Sequence, residues 1–230
     1  MIFNRPIPLR VPGCKLWLDA STLRSLYTDS ARTTPVAAND DPVGALSDLS
    51  GNGYHATQAT SSKRPLYKAS GINSMPSVQT DGVDDYLEFT NPISGLTAYT
   101  LFLVAKYHVA SGYVYDMNGG LDHAMYCNGS AIKNWNTTTL TTTNLTTAFL
   151  YTKFYAQSDT PDESFRWNRS DVAGTSSYSA GSGPARIGTI SSGGFYGQIK
   201  LAEMIVYNSK LSATQYGAVE SYLHGKWGVG

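Results

Sequence analysis

From residue 77 onward the chain is cut into short apolar runs by clusters of glycine, asparagine, aspartate and proline. The runs cover residues 86–90, 99–107, 112–117, 124–128, 148–156, 164–168, 185–190 and 195–207. Short strands closed by turn residues cannot bury a face alone, so a succession of them predicts two antiparallel sheets packed against each other. Leu101, Phe102, Leu103, Val104 and Ala105 are apolar on both faces of an extended chain, which predicts a central strand covered on both sides. Before these runs, Lys15-Leu16-Trp17-Leu18-Asp19 alternates and reads as a first strand, with Leu16 and Leu18 on one face and Trp17 on the other. Residues 20–53 are rich in Ser, Thr, Asp, Pro and Gly and read as loop, with one helical turn near 22–26. The Thr-rich stretch 137–147 is β-branched and suits a strand or its flanking loop. The one helix predicted comes last: Ser212 is a good N-cap, Tyr216, Val219, Leu223 and Trp227 share a stripe, and Gly228 stops it.

The chain has 230 residues, a length that one β-sandwich fills, and at 41% hydrophobic and 15% charged it has the material for a core. The expected division is an extended docking arm over residues 1–13, which hold three prolines and a glycine, and a single sandwich over 14–230. Seventeen basic residues balance seventeen acidic ones, so no net field favours nucleic acid or an anionic membrane surface. No apolar run approaches the roughly 20 residues that cross a bilayer as a helix. The start, Met1 to Pro6, lacks the apolar segment of a secretory signal, so synthesis in the cytoplasm without export is expected. Cys14 and Cys127 have no zinc-type spacing and read as free thiols, unless the fold brings them together to pair.

Wording adds to periodicity. The segments Leu16-Trp17-Leu18-Asp19-Ala20-Ser21, Asp48-Leu49-Ser50-Gly51-Asn52-Gly53-Tyr54-His55-Ala56 and Asp81-Gly82-Val83-Asp84-Asp85-Tyr86-Leu87 are similar to the amino-terminal motifs of laminin-G-like, concanavalin A-like lectin/glucanase domains. The run from Gly197 to Asn208 and the helix ending in Tyr222-Leu223-His224-Gly225-Lys226-Trp227-Gly228 resemble the carboxyl-terminal strand and helix of that group. The resemblance spans residues 15–229, with a variable middle third. It implies an all-β, two-sheet antiparallel jelly-roll sandwich with a short C-terminal amphipathic helix. Domains with this wording are frequent in bacteriophage virion proteins and in bacterial surface proteins, while the fold itself hosts lectins, glycosidases and structural modules.

Hydrolysis of a glycosidic bond needs two carboxyl groups about 5–9.5 Å apart. The Glu-x-Asp-x-(x)-Glu strand of the superfamily's glucanases is absent from this sequence. Asp162-Glu163 falls in a Pro-containing loop, Glu203 stands alone among apolar residues, and Glu88 has only Asp84 at a suitable offset. The histidines His55, His108, His123 and His224 belong to no nucleophile motif; His55 reads as loop packing and His224 as a surface or capping residue. No catalytic residues are expected. Asp81, Asp84 and Asp85 form an acidic cluster beside a turn glycine, and Asp48 and Asn52 in the other motif loop could join them around calcium. The same residues serve tight turns, because their side chains bond nearby backbone, and the turn role is preferred. Calcium is therefore not a required cofactor. The chain carries 16 tyrosines and 4 tryptophans; Tyr113, Tyr115, Tyr126, Trp135, Trp167, Phe195 and Tyr196 are the candidates for stacking on sugar rings or for a protein interface.

The expectation from these readings is a non-enzymatic bacteriophage virion component, of the head decoration or of a tail or fibre, made in the host cytoplasm. Its partners would be other virion proteins (capsid or tail subunits), as a homo-oligomer, and a host-surface glycan. The alternative is a glycan-binding lectin module, with a polysaccharide-degrading enzyme behind both.

Overall fold

The computed structural model describes residues 6–117, 123–134, 139–159, 161, 163–173, 183–190 and 192–230. Two sheets, antiparallel in every pair, account for the strands among them. The first runs β15 (Ser170–Val172), β14 (Glu163–Trp167), β13 (Phe149–Ala156), β8 (Ala98–Tyr107), β17 (Ile199–Tyr207), β6 (Met75–Gln79) and β5 (Leu66–Ile72). Strand β1 (Cys14–Asp19) also pairs with β17, sharing that edge with β6. The second sheet runs β12 (Thr139–Thr141), β11 (Ile132–Asn134), β10 (Ala124–Asn128), β9 (Ser111–Asp116), β16 (Ala185–Ile187), β7 (Leu87–Phe89), β4 (Ala56–Thr57), β3 (Ala45–Leu46) and β2 (Leu26–Tyr27). This is a β-sandwich of the concanavalin A-like type, as the sequence motifs imply.

The faces follow from alternation. Leu16, Leu18, Leu101, Leu103, Ala105, Met204 and Val206 point between the sheets and meet Val114, Tyr115, Met125 and Ile132 from the second sheet. Trp17, Phe102, Val104, Leu150, Ile205 and Tyr207 point the other way and form a separate core beneath α2 (Ala213–Trp227). The central strand 101–105 is thus covered on both faces, one by a sheet and one by a helix. Along α2, Val219, Leu223 and Trp227 are buried and Tyr216 packs at the margin. Its start is a capping box: Ser212 Oγ accepts from the Gln215 amide and Gln215 Oε1 accepts from the Ser212 amide. It ends at Gly228, which adopts the left-handed conformation at φ 64°.

The extended arm is corrected by the structure. Ile7–Arg10 form one helical turn, α1, because Pro6 and Pro8 fall at its start, where the missing amide hydrogens cost nothing. The turn lies on this chain's own second core: Tyr207 donates to the Pro8 carbonyl at 3.0 Å, and Val11 is buried there.

Strand β1 and helix α2 converge on Glu203, which the sequence shows only as an isolated acid in an apolar run. Its Oε1 accepts from Trp17 Nε1 at 2.7 Å and from the Tyr222 hydroxyl at 3.0 Å. Its Oε2 accepts from Trp227 Nε1 and Lys226 Nζ, each at 2.7 Å. Lys226 also donates to Asp19 at 2.8 Å. A register shift between Leu201 and Glu203 explains the orientation. With regular alternation Glu203 would share the face of Leu201 inside the sandwich; one extra residue turns it toward the helix. A second carboxylate, Glu220 of α2, accepts from Thr152 at 2.8 Å and from Arg166 Nε at 3.0 Å.

Removing one partner of a buried, fully bonded ion pair leaves the others unsatisfied. Glu203→Ala is expected to lower unfolding free energy by about 3–5 kcal/mol, read from urea denaturation. Ser212→Ala, which removes only the cap, is expected to cost about 1 kcal/mol in the same assay.

Candidate functional site

The residues that sequence reading singled out for binding fall into separate places. Asp81, Asp84 and Asp85 do gather, with carboxylate oxygens within 4.8 Å of one another. Asp81 Oδ1 accepts from the amides of Val83, Asp84 and Asp85, and Asp85 Oδ2 accepts from the Asp81 amide, so the cluster is built as a turn. Asp48 and Asn52 do not join it. Asp48 accepts from the amides of Trp17, Ser50 and Tyr54 and from the Ser50 hydroxyl, which ties its loop to β1. Asn52 donates to the carbonyls of Cys14 and Lys15. These side chains are spent on loop architecture because each loop must satisfy its own amides where it leaves a sheet.

His55 belongs to the same loop, its Nδ1 accepting from the Asp48 amide at 3.1 Å. His224 caps the end of α2, its Nδ1 donating to the Val229 carbonyl at 2.7 Å. Both cysteines are free thiols. Burial pushes the Cys14 thiol up to about 12 and the Cys127 thiol above its usual value, so neither is poised as a nucleophile.

A polar cluster inside the sandwich was missed. Glu163, expected in a loop, begins β14 and receives Lys153 Nζ at 2.6 Å, with His123 at 3.4 Å. Lys153 also approaches His123 Nδ1 at 3.1 Å, and the Tyr99 hydroxyl lies 2.6 Å from the same nitrogen. Burial and the Lys153 charge hold His123 down to about 4. Glu163 and Asp116 both act electrostatically on His123. Their exposures, 1% and 0%, close them to any substrate in this conformation. The available signal was Lys153 itself, a single cation inside the apolar run 148–156. Asp162 and Trp135 lie outside the described residues. Trp167 stacks on Phe149 at 4.5 Å and packs against the inter-sheet core, so it is not an open sugar platform.

Tyr113, Tyr126, Phe195 and Tyr196 are brought together. They line a cleft of about 400 Å³ with Ser111, Gly112, Cys127, Asn128 and Ile190. The cleft lies on the outer face of the second sheet, because Met125 and Cys127 point to the inter-sheet core while Tyr113, Ala124 and Ile190 form a cluster apart, with Tyr126 packed against it. Tyr115 is excluded from it. As i and i+2, Tyr113 and Tyr115 should share a face, but β9 carries an extra residue against β10, pairing Tyr126 with Tyr113 and Met125 with Tyr115. Val114 and Tyr115 therefore both turn inward, and Tyr115 is wholly buried.

Tyr113 and Tyr126 are stacked at 5.3 Å and 25°, and Phe195 stands edge-on to Tyr113 at 6.3 Å. Burial and the neighbouring Tyr126 and Asp116 push the Tyr113 phenol up to about 12, keeping it a neutral hydroxyl. The wall is held rigidly. Phe195 follows Gly193 and Gly194, and all three have positive φ, at 54°, 77° and 85° respectively. A bulky side chain at positive φ is strained, yet Phe195 is 75% exposed. The backbone is pinned by the Tyr113 amide donating to the Phe195 carbonyl at 3.1 Å, the Gly193 amide to the Ile190 carbonyl at 3.0 Å and Thr189 Oγ1 to the Gly194 carbonyl at 2.7 Å. Gly112 and Gly197 permit this approach: a Cβ on either would come within 2.2 Å of the carbonyl oxygen of Tyr196 or Tyr113.

No protein-family model and no curated protein sequence matches the chain. Solved structures do, in fold. A GH54 α-L-arabinofuranosidase superposes with a TM-score of 0.65 over 96% of this chain and 65% of its own, at 14% identity. An arabinofuranosidase complexed with arabinofuranosyl-α-1,2-xylobiose gives 0.61 over 94% and 59%, at 12%. Trypanosoma rangeli sialidase gives 0.59 over 94% of this chain and 34% of its own, at 10%. The chain thus spans about a third of the sialidase and about three fifths of the arabinofuranosidases. These likenesses define the fold, a β-sandwich shared with parts of those structures. They overturn the expectation of a bacteriophage virion structural component, since the solved structures named are glycoside hydrolases.

Asp85 provides a test of the turn. Burial, reinforced by Asp81 and Asp84, pushes its carboxyl up to about 7, far above an unfolded aspartate near 3.9. The folded state then holds the proton more tightly, so this group's contribution to stability falls as pH rises from about 4 to about 7 and is constant outside that window. Asp85→Asn is expected to flatten the melting temperature against pH across that range, and EGTA is expected to leave the wild-type melting temperature unchanged.

Proposed function

We propose that this chain is a carbohydrate-recognition β-sandwich that seats a sugar ring against Tyr113, Tyr126 and Phe195. The observation that carries the reading is Phe195: a large apolar ring held in solvent, on a strained backbone, at the edge of a stacked tyrosine pair. Strain of this kind costs about 1–3 kcal/mol and persists where the surrounding structure imposes it. Aromatic faces pack on the carbon–hydrogen face of a pyranose or furanose, while nearby polar groups bond its hydroxyls. The cleft has the usual form of a small-molecule site, an apolar concavity with a few polar groups at its rim. The fold shared with glycoside hydrolases supports a carbohydrate ligand.

The same reading gives binding without bond cleavage. None of the described residues lining the cleft carries a carboxyl group, whereas most retaining and inverting glycosidases act through a pair of them.

Phe195→Gly removes the ring and relieves the positive φ. It is expected to weaken glycan binding at least about tenfold, equivalent to about 1.4 kcal/mol, in titration calorimetry, with no loss of thermal stability. Unchanged affinity in that variant sinks the assignment. Release of reducing sugar from polysaccharide, or hydrolysis of aryl arabinofuranosides or sialosides by the wild type, sinks the non-catalytic part alone.

A further inference from the structure

Resting on that reading of the cleft, we infer that its ligand is a neutral sugar and that sugars bearing a carboxylate, such as uronic or sialic acids, are excluded. The first ground is the lining: its nine described residues are uncharged, so a sugar carboxylate entering the cleft would meet no cation among them. Taking an unpaired carboxylate out of water is costly. The second ground is the disposition of charge around the cleft. The acid nearest along β9, Asp116, lies three residues from Tyr113 and is wholly buried, so it offers the cleft no cation-binding or sugar-binding surface.

Arg186, on the neighbouring β16, cannot compensate. Its guanidinium is paired with Glu88 at 2.7 Å, donates to the Ile190 carbonyl at 3.2 Å and stacks on Tyr86 at 4.8 Å. Lys133 is in register with Tyr126 across β10 and β11 but does not line the cleft. The polar groups that do line it suit hydroxyls. Ser111 contributes an exposed hydroxyl. Asn128 is oriented by its Oδ1, which accepts from the Ser130 and Ala131 amides. That leaves its amide nitrogen with no acceptor among the described residues.

The test is a glycan array carrying neutral-terminated oligosaccharides beside uronic- and sialic-acid-terminated ones, probed with wild type and Phe195→Gly. Signals confined to neutral termini and lost in Phe195→Gly are expected. On the neutral hits, titration against the matched uronic acid should show at least about tenfold weaker binding. Neutral affinity should also hold when ionic strength is raised, since no charge pair is made. Signals on acidic termini that disappear in Phe195→Gly, weaken with salt and are reduced by Lys133→Ala overturn the selectivity while leaving a sugar-binding cleft in place. Silence on every glycan overturns the cleft assignment itself, and the selectivity with it.

Discussion

The structure depends on one buried carboxylate. Glu203 sits at 1% exposure in the middle of β17, and water cannot help it. A charge in that position is tolerable only when its lone pairs are filled. Two indole nitrogens, a phenol and an ammonium fill them, drawn from β1 and from the last two turns of α2. The same bonds therefore hold the first strand, the last strand and the last helix in one arrangement. Burial still pushes the Glu203 carboxyl above its ordinary range, against the pull of Lys226. Once the helix is locked it packs on the outer face of the first sheet, and the aromatic cleft lies on the outer face of the second.

Two extra residues in otherwise regular strands decide which side chains do what. In β17 the register shift turns Glu203 out of the sandwich and toward the helix. In β9 it separates Tyr113 from Tyr115, giving one ring to the surface and one to the core. Strand alternation has a period of two, so a single inserted residue exchanges the faces of everything beyond it. The consequence reaches function, because the stacked pair Tyr113 and Tyr126 exists only when Tyr113 faces outward.

The cleft is also shaped by loops that cross the sheet closely. Gly112 and Gly197 let β9 and the segment after Phe195 meet at backbone distance, and the hydrogen bonds made there fix Phe195 in its exposed, strained position. A rigid aromatic wall loses little freedom on binding, which suits a ligand that offers few strong contacts. The interior cluster of Lys153, Glu163 and His123 is the opposite case. Its charges are mutually compensated and closed to solvent, so its effect is on the specificity of packing between the sheets.

The sequence alone determined the class of fold, the two-sided central strand 101–105, the faces of Leu16, Trp17 and Leu18, and the helix with its cap and stop. These follow from local rules of periodicity, capping and turn chemistry. It also supplied Tyr113, Tyr126, Phe195 and Tyr196 as candidates, though in company with Tyr115 and Trp167, which the core claims. Tertiary structure alone decided which rings meet, which acids are spent on turns, and why Glu203 and Lys153 interrupt apolar strands. Those outcomes depend on register, on inserted residues and on partners far along the chain, such as Trp17 and Trp227 around Glu203. No local pattern encodes a contact between residues so distant, because the energy that fixes it is available only after the sheets and helix have come together.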